Sequence, residues 1–278
     1  METVESIVLK EEEVDDIIAL INDFSGYDFS EYSRPSLLRR MQRFVTINKI
    51  TNLSVFQDEL IENSQLLNNL IEELTVNVTE MFRDPLFFTT IKNDILTELE
   101  KLSHIKIWHA GCSTGEEVYS MMILLHEKKL LEKSIVYATD INQTVLSKAR
   151  EGKYSLENMK EYAANYKSFD TNGDFNAYFD VKDGAAQVKS FLKEKVIFSA
   201  HNLVSEGVFN QFDLIVCRNV LIYFNKQLQD QVFIKFYNSL NTGGFLAIGS
   251  KETLQFSPID KQMDVVNQKW KIWRKKAS

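Results

Sequence analysis

Apolar positions in the first quarter of the chain recur on a helical period. Val14, Ile17, Ile18 and Ile21 fall at i, i+3, i+4 and i+7, which is one face of an amphipathic helix. A second helix is predicted from the stretch SRPSLLRRMQRFV, with Ser33 as its N-cap and Pro35 inside the first turn, where a missing N–H costs little. Leu37, Leu38, Met41, Phe44 and Val45 form its buried stripe. Two more helices are expected over 54–62 and 64–74, and no strand signal interrupts this region.

The period changes after VNVTEMFRDPLFF. Pro85 is expected to open a helix that runs to residue 102. Short β-rich runs then alternate with helices. The strands are predicted over 105–110, 134–140, 195–202, 212–219 and 243–250, with helices near 116–131, 142–151 and 226–240. Such alternation implies a mostly parallel sheet covered by helices on both faces. The end, VVNQKWKIWRKK, alternates around Gln268 and Lys269 and reads as a terminal antiparallel strand or hairpin. A long insertion occupies 153–193. Within it, FNAYFDVKDGAAQVKSF suggests a small antiparallel excursion turning at Asp183 and Gly184.

Composition narrows the function classes. The 278 residues are 44% hydrophobic and 26% charged, enough for one large or two modest cores. No apolar run approaches the roughly 20 residues of a membrane span. The acidic start, METVESIVLKEEEVDD, has no signal-peptide apolar core, so the cytoplasm is the expected compartment and membrane insertion is not. A net charge of −7 argues against general nucleic-acid binding but leaves room for a local basic patch. The two cysteines and four histidines have no metal-site spacing, so no metal is expected.

The candidate chemistry sits where strands end, since ligands in open α/β sheets bind beyond the strands' carboxyl ends. IWHAGCSTGEEVYS reads as strand, small-residue turn and helix start. Gly111 and Gly115 are spaced GxxxG, so the dinucleotide fingerprint is absent, and Glu116 stands where a phosphate-binding loop needs lysine. Glu116 and Glu117 at a helix N-terminus would repel a pyrophosphate and suit a cationic ligand. The same acids also serve as ordinary first-turn residues behind a Ser113 or Thr114 cap. Asp140 ends the second strand, where a carboxylate accepts ribose hydroxyls or, alternatively, caps the following helix. A ribose acid without a phosphate loop points to a phosphate-free nucleoside with a cationic tail, which S-adenosylmethionine fits. Asn202 in AHNL could face the adenine edge. Arg218 and Asn219 in CRNVLIYF stand at the sheet mouth, with Tyr223 one turn on.

Taken together, NVTEMFRD, WHAGCSTGEEVYS, ATDIN, KVIFSAHNL, FDLIVCRNVLIYFN and GGFLAIGSKETL resemble the CheR family of chemotaxis receptor methyltransferases, in order and spacing, from about residue 14 to 256. The resemblance implies an N-terminal all-α domain (1–75), a linker contributing to the site (76–84) and a class I, Rossmann-like methyltransferase domain (85–278). The last is expected to have a mostly parallel sheet, an antiparallel C-terminal strand and a β insertion at about 170–193. It implies methyl transfer from S-adenosylmethionine to glutamate side chains of chemoreceptors, leaving S-adenosylhomocysteine. Carried over by motif, the cofactor contacts are Asn77, Thr79, Arg83, Glu117, Asp140, Asn202, Leu203, Arg218 and Asn219, with Arg83 and Tyr223 nearest the transferred methyl. Arg34, Arg39, Arg40 and Arg43 are expected to dock the cytoplasmic domain of a chemoreceptor or a similar acidic helical signalling protein; taken alone, they are a solvated helix face. A monomer is expected.

The sequence departs from the family's pattern at Val118 (usually proline), at Met81 (usually phenylalanine) and at Lys251 before Glu252 in GSKETL. The β excursion is longer and poorer in glycine than in members that dock a receptor tail, so tail docking is not expected. Two other classes compete. One is a catalytically silent member that binds S-adenosylmethionine and scaffolds a signalling complex. The other is a small-molecule or nucleic-acid methyltransferase, disfavoured because CRNVLIYF stands where an aromatic-proline base-gripping motif would follow strand four.

Overall fold

The computed structural model describes residues 6–75 and 78–277. They fall into two compact units, one of them Met1–Asn77 with Ile222–Gln229, the other Val78–Leu221 with Asp230–Ser278.

The first unit holds α1 (Glu11–Ser25), α2 (Arg34–Ile47), α3 (Leu53–Glu62) and α4 (Ser64–Leu74). Three glutamates fill the first turn of α1, where the helix dipole favours negative charge, and Gly26 closes it in the left-handed conformation at φ 74°. The predicted stripe of α1 is buried, and so is that of α2 except Leu38, which is partly exposed. Ser33 is the N-cap of α2 by backbone position, but its side chain makes no capping hydrogen bond. Asn52 and Asn63 do cap, accepting N–H bonds at the starts of α3 and α4. The four helices enclose their own core, which includes Ile17, Phe29, Met41, Phe56 and Leu70.

In the second unit, α5 (Pro85–Thr90) runs through a π-helical turn (Ile91–Ile95) into α6 (Leu96–Leu99). The single helix expected to reach 102 is thus widened by the π turn and ends at Leu99. Then follow β1 (Ile105–Ala110), α7 (Glu116–Glu127), β2 (Ser134–Asp140), α8 (Gln143–Glu151), β3 (Lys153–Ser155), α9 (Leu156–Phe169), β4 (Phe179–Lys182), β5 (Ala185–Val188), α10 (Ser190–Lys193), β6 (Val196–Ala200) and β7 (Phe212–Cys217). After β7, α11 (Lys226–Ser239) leads to β8 (Leu240–Ile248), β9 (Met263–Asn267) and β10 (Ile272–Lys275).

Seven strands form the main sheet in the order β6-β2-β1-β7-β8-β10-β9. The first five are parallel, and the β9–β10 hairpin adds antiparallel strands. The chain goes from β1 to β2 on one side and later to β7 on the other, so the order reverses at β1. Its carboxyl end is the switch point where such sheets hold ligands. Strand parity separates two cores. Ile105, Ile107, Leu214, Val216 and Ala247 face a cluster with the buried side chains of α5, the π turn and α7. Trp108 faces the other way, where it meets Phe236 of α11 edge-on at 5.4 Å, and Phe212 joins it because the register of β7 shifts between Phe212 and Leu214.

The insertion is larger than an antiparallel excursion. A three-stranded sheet, β3-β5-β4, turns at Asp183 (φ 49°) and Gly184 (φ 73°), as the sequence predicts. Between β3 and β4 lies α9, which the sequence reading missed. Its buried positions are Tyr162 and Tyr166, and the Tyr166 hydroxyl donates to Glu127 at 2.6 Å. Lys92 closes an ion pair on the same carboxylate at 2.6 Å. Among the described residues no helix is long and apolar enough to cross a membrane, and no cluster of His, Cys, Asp and Glu could hold a metal.

Candidate active site

The turn after β1 is built by backbone. The N–H groups of Gly111 and Cys112 both donate to the Thr139 carbonyl, at 2.8 and 2.9 Å, which ties the end of β1 to the end of β2. Gly111 has φ 78°, and a Cβ there would lie 2.4 Å from Val220 Cγ2. The turn continues through Ser113 at φ 50° to Gly115 at φ 91°. By backbone position Gly115, rather than Ser113 or Thr114, is the N-cap of α7. Instead, the Ser113 N–H donates to Asp140 Oδ2 at 2.8 Å, while Asp140 Oδ1 accepts from Asn142 N at 3.0 Å. Asn142, not Asp140, caps α8. Burial pushes the Asp140 carboxyl above its ordinary pKa, and its backbone N–H bonds only partly offset that.

Glu116 and Glu117 part ways. Glu116 is buried, accepts from Thr114 Oγ1 at 2.6 Å and from the Tyr162 hydroxyl at 3.2 Å, and burial raises its pKa. Glu117 takes Arg218 Nη1 at 2.9 Å on one oxygen and His109 Nδ1 at 3.1 Å on the other. Burial acts to raise its pKa too, but the His109 hydrogen bond and the Arg218 charge outweigh it, and Glu117 sits below the ordinary carboxylate value. His109 is itself buried, and its Nε2 has no partner.

Arg218 organises the MFRD segment. Its side chain is 2% exposed and pairs with Asp84 as well as Glu117. Its Nη1 also donates to the Arg83 carbonyl at 3.4 Å, and its guanidinium lies over the Phe87 ring at 4.1 Å. Phe82 and Asp84 flank Arg83 at φ 53° and 59°, a backbone region costly for residues with a Cβ. The strain is held by Arg218 on one side and by Ser120, whose hydroxyl accepts the Phe82 N–H at 2.9 Å, on the other. The Arg83 and Thr79 side chains are partly exposed; Asn77 lies outside the described residues.

Asn219 follows β7 at φ 61°. Its loop is fixed by Glu252, which accepts the N–H of Val220 at 3.0 Å and that of Gly249 at 2.5 Å. Asn202 turns the chain after β6, accepting from Val204 N at 2.8 Å, and Leu203 beside it is buried.

Tyr223 belongs to the helical unit. Its carbonyl accepts the Ser33 N–H at 2.8 Å, Phe224 bridges Tyr32, and Asn225 donates to the Glu31 carboxylate at 2.7 Å. Of the four arginines, Arg39 is exposed and Arg43 reaches Glu73 at 2.6 Å with its side chain 65% exposed. Arg34 pairs with Asp15 at 2.9 Å. Arg40 is partly buried, with its guanidinium 5.1 Å from the centre of the Tyr223 ring.

Sequence reasoning found the acids and the arginines but missed the groups that hold them: His109, Asp84, Ser120, Glu252 and Asn225. All five lie inside the quoted motifs, but nothing in those motifs assigned them a supporting role.

The donor set fits S-adenosylmethionine. Asp140 keeps lone-pair capacity for ribose hydroxyls beyond its backbone bonds from Ser113, Ile141 and Asn142. Glu117 is kept ionised by His109 and Arg218, as an acid that would face an ammonium must be, and the turn between β1 and α7 contains no lysine to hold phosphates. The sheet order and this site define a Rossmann-like S-adenosylmethionine-dependent methyltransferase. Residues 12–75 match the CheR methyltransferase all-alpha domain and residues 77–272 match the CheR methyltransferase SAM binding domain; the chain belongs to the CheR family. It is 42% identical over 250 residues to a Pseudomonas putida protein named methyltransferase Cher3, covering 90% of this chain and 92% of that one. It is 31% identical over 265 residues to the chemotaxis protein methyltransferase of Borreliella burgdorferi (90% and 91% covered). It is 29% identical over 244 residues to that of Listeria monocytogenes (87% and 90% covered).

Proposed function

We propose that this methyltransferase esterifies glutamate side chains on the cytoplasmic domain of a chemoreceptor or similar acidic helical signalling protein, acting as a cytoplasmic monomer. The observation that carries the reading is the family membership of both units, together with the arginine face of α2. S-adenosylmethionine supplies an electrophilic methyl on a sulfonium. A glutamate carboxylate is ionised at neutral pH, its reference pKa being about 4.3, so the acceptor needs no general base. Charge is neutralised along the reaction, and tight ion pairing to the free carboxylate would hinder it. Alignment and exclusion of water are then what the protein must provide.

In this reading Asp140 and Glu117 hold the ribose and the ammonium of the cofactor. Asn77, Thr79, Asn202, Leu203, Arg218 and Asn219 complete the binding site, Arg218 mainly by fixing Glu117 and the segment that presents Arg83. Arg83 and Tyr223 orient the reactants. Arg34, Arg39 and Arg43 draw in an acidic helix.

The test is methyl transfer from tritiated S-adenosylmethionine to receptor-enriched membranes. The expected product is a base-labile ester that releases methanol; cofactor binding with no transfer would leave a silent binder instead. Arg39→Glu with Arg43→Glu should raise KM for the receptor at least about fivefold, and high salt should do the same to the unaltered protein. Indifference to both removes the docking role.

A further inference from the structure

We propose that Arg40 is a positioning residue for methyl transfer, fixing the Tyr223 ring from above, and not a docking residue like Arg39 and Arg43. The proposal rests on the reading of Tyr223 as a group that orients the reactants.

Three arginines within two turns of one helix meet three different fates. Arg39 and Arg43 lie one turn apart on a common face, and both are exposed. Arg40 is turned about 100° from Arg39 around the helix. Its Nη1 donates to the Glu73 carbonyl at 3.3 Å, and its guanidinium covers Tyr223 at 5.1 Å. Helix α2 thus grips Tyr223 twice. Ser33 at its start holds the tyrosine's backbone through a 2.8 Å hydrogen bond, and Arg40 two turns later holds the ring. A tyrosine with an anchored backbone still turns about two side-chain torsions, the second of them broad. A planar cation against one face narrows that range.

Stability does not explain this arginine. Among the described residues its buried Nε has no hydrogen-bond partner, and the bond from its Nη1 to the Glu73 carbonyl is long at 3.3 Å. Burial also disfavours its charge. A partly buried cation satisfied this poorly is commonly replaced by an apolar side chain of similar length at no loss of stability. Retaining it makes sense where the cation does something for its aromatic neighbour.

The experiment uses full-length protein, tritiated S-adenosylmethionine and receptor-enriched membranes. It reads kcat, KM for receptor and calorimetric cofactor Kd for Arg40→Met, Arg40→Lys, Tyr223→Phe and the double variant Arg40→Met/Tyr223→Phe. Arg40→Met should melt within about 2 °C of the parent and lose roughly 10- to 100-fold in kcat, the scale of a misaligned reactant. KM for receptor, its salt dependence and cofactor Kd should stay within about twofold. Arg40→Lys should recover part of the loss, since an ammonium also sits over an aromatic face. The double variant should be no slower than Tyr223→Phe alone. A rise in KM with an altered salt dependence would overturn the proposal in favour of docking, and so would full additivity of the two substitutions. Tyr223→Phe with unchanged kcat would overturn the underlying reading by itself, and that single variant keeps the two failures apart.

Discussion

At the scale of single residues, buried charges here are held by more than one partner, and Arg218 is the clearest case. It pairs with Glu117 and Asp84 together, props up a strained segment through the Arg83 carbonyl and stacks on Phe87. A planar fork does this and an ammonium does not. Arg218→Lys should therefore lose cofactor affinity and about 2–4 kcal/mol of stability, because removing one member leaves buried carboxylates short of partners; calorimetry and thermal melts check both. Asp140 gives a pH prediction. Its pKa is raised in the free protein by burial, and hydrogen bonds from ribose hydroxyls favour the ionised form. Cofactor affinity should therefore weaken as pH falls through that raised pKa, beginning at a higher pH than for an ordinary aspartate, with protons released on binding in the same range. The folding contribution has the opposite sign. An acid whose folded pKa is raised stabilises the fold below its unfolded value and loses that as pH rises through the folded one. A titration of Kd against pH for the unaltered protein and for Asp140→Asn checks this, the variant being weaker at neutral pH and flat.

At the scale of elements, the site is three turns packed together, those after β1 and β2 tied by backbone and the one after β7 set against Gly111 through Val220. Gly111 is committed twice, by φ 78° and by Val220 Cγ2 lying 2.4 Å from where a Cβ would stand. Gly111→Ala should cost about 2–3 kcal/mol, part left-handed strain and part overpacking. Adding Val220→Ala should return only the second part, a split that denaturant melts of the single and double variants resolve. Elements of this kind were unevenly legible in the sequence. The strands β1 and β7 could be read because both their faces are largely buried, which makes parallel strands near-continuous apolar runs, and β2 because its apolar run continues through the exposed Ile135. The acids Glu117 and Asp140 could be read because a strand's carboxyl end is a fixed address in this fold. Helix α9 escaped because its buried residues are tyrosines at i and i+4, which carry a polar hydroxyl and a weak apolar signal. The supports of the site escaped for another reason. Arg218 meets partners 101 and 134 residues away, and no periodicity encodes such a meeting.

At the scale of the molecule, the division of the chain into units does not follow the order of its residues. Ile222–Gln229 lies in sequence within the match to the SAM binding domain, yet it packs as part of the helical unit. Its register there is set by main chain, with Ser33 N–H to the Tyr223 carbonyl at 2.8 Å and Asn225 N–H to the Glu31 carbonyl at 2.9 Å. Phe224 and Tyr32 meet edge-on at 4.9 Å beside these bonds. One side-chain bond, Asn225 Nδ2 to Glu31 Oε2 at 2.7 Å, is added to this frame. Asn225 has a second duty, since its Oδ1 accepts the Leu228 N–H at the start of α11, so substituting it would damage two things at once. Glu31 is the cleaner probe. Glu31→Ala removes one charge-assisted hydrogen bond and should cost about 1 kcal/mol or less, the bond being only part-buried. Through the slackened frame of Tyr223 it should lower kcat several-fold. Cofactor Kd should not change, because Asp140, Glu117 and Arg218 have these partners within the other unit. Glu31→Gln keeps an acceptor for the Asn225 amide and should restore turnover. A fall in cofactor affinity on Glu31→Ala, measured by calorimetry beside the kinetics, would show that the two tasks are not divided as these hydrogen bonds imply.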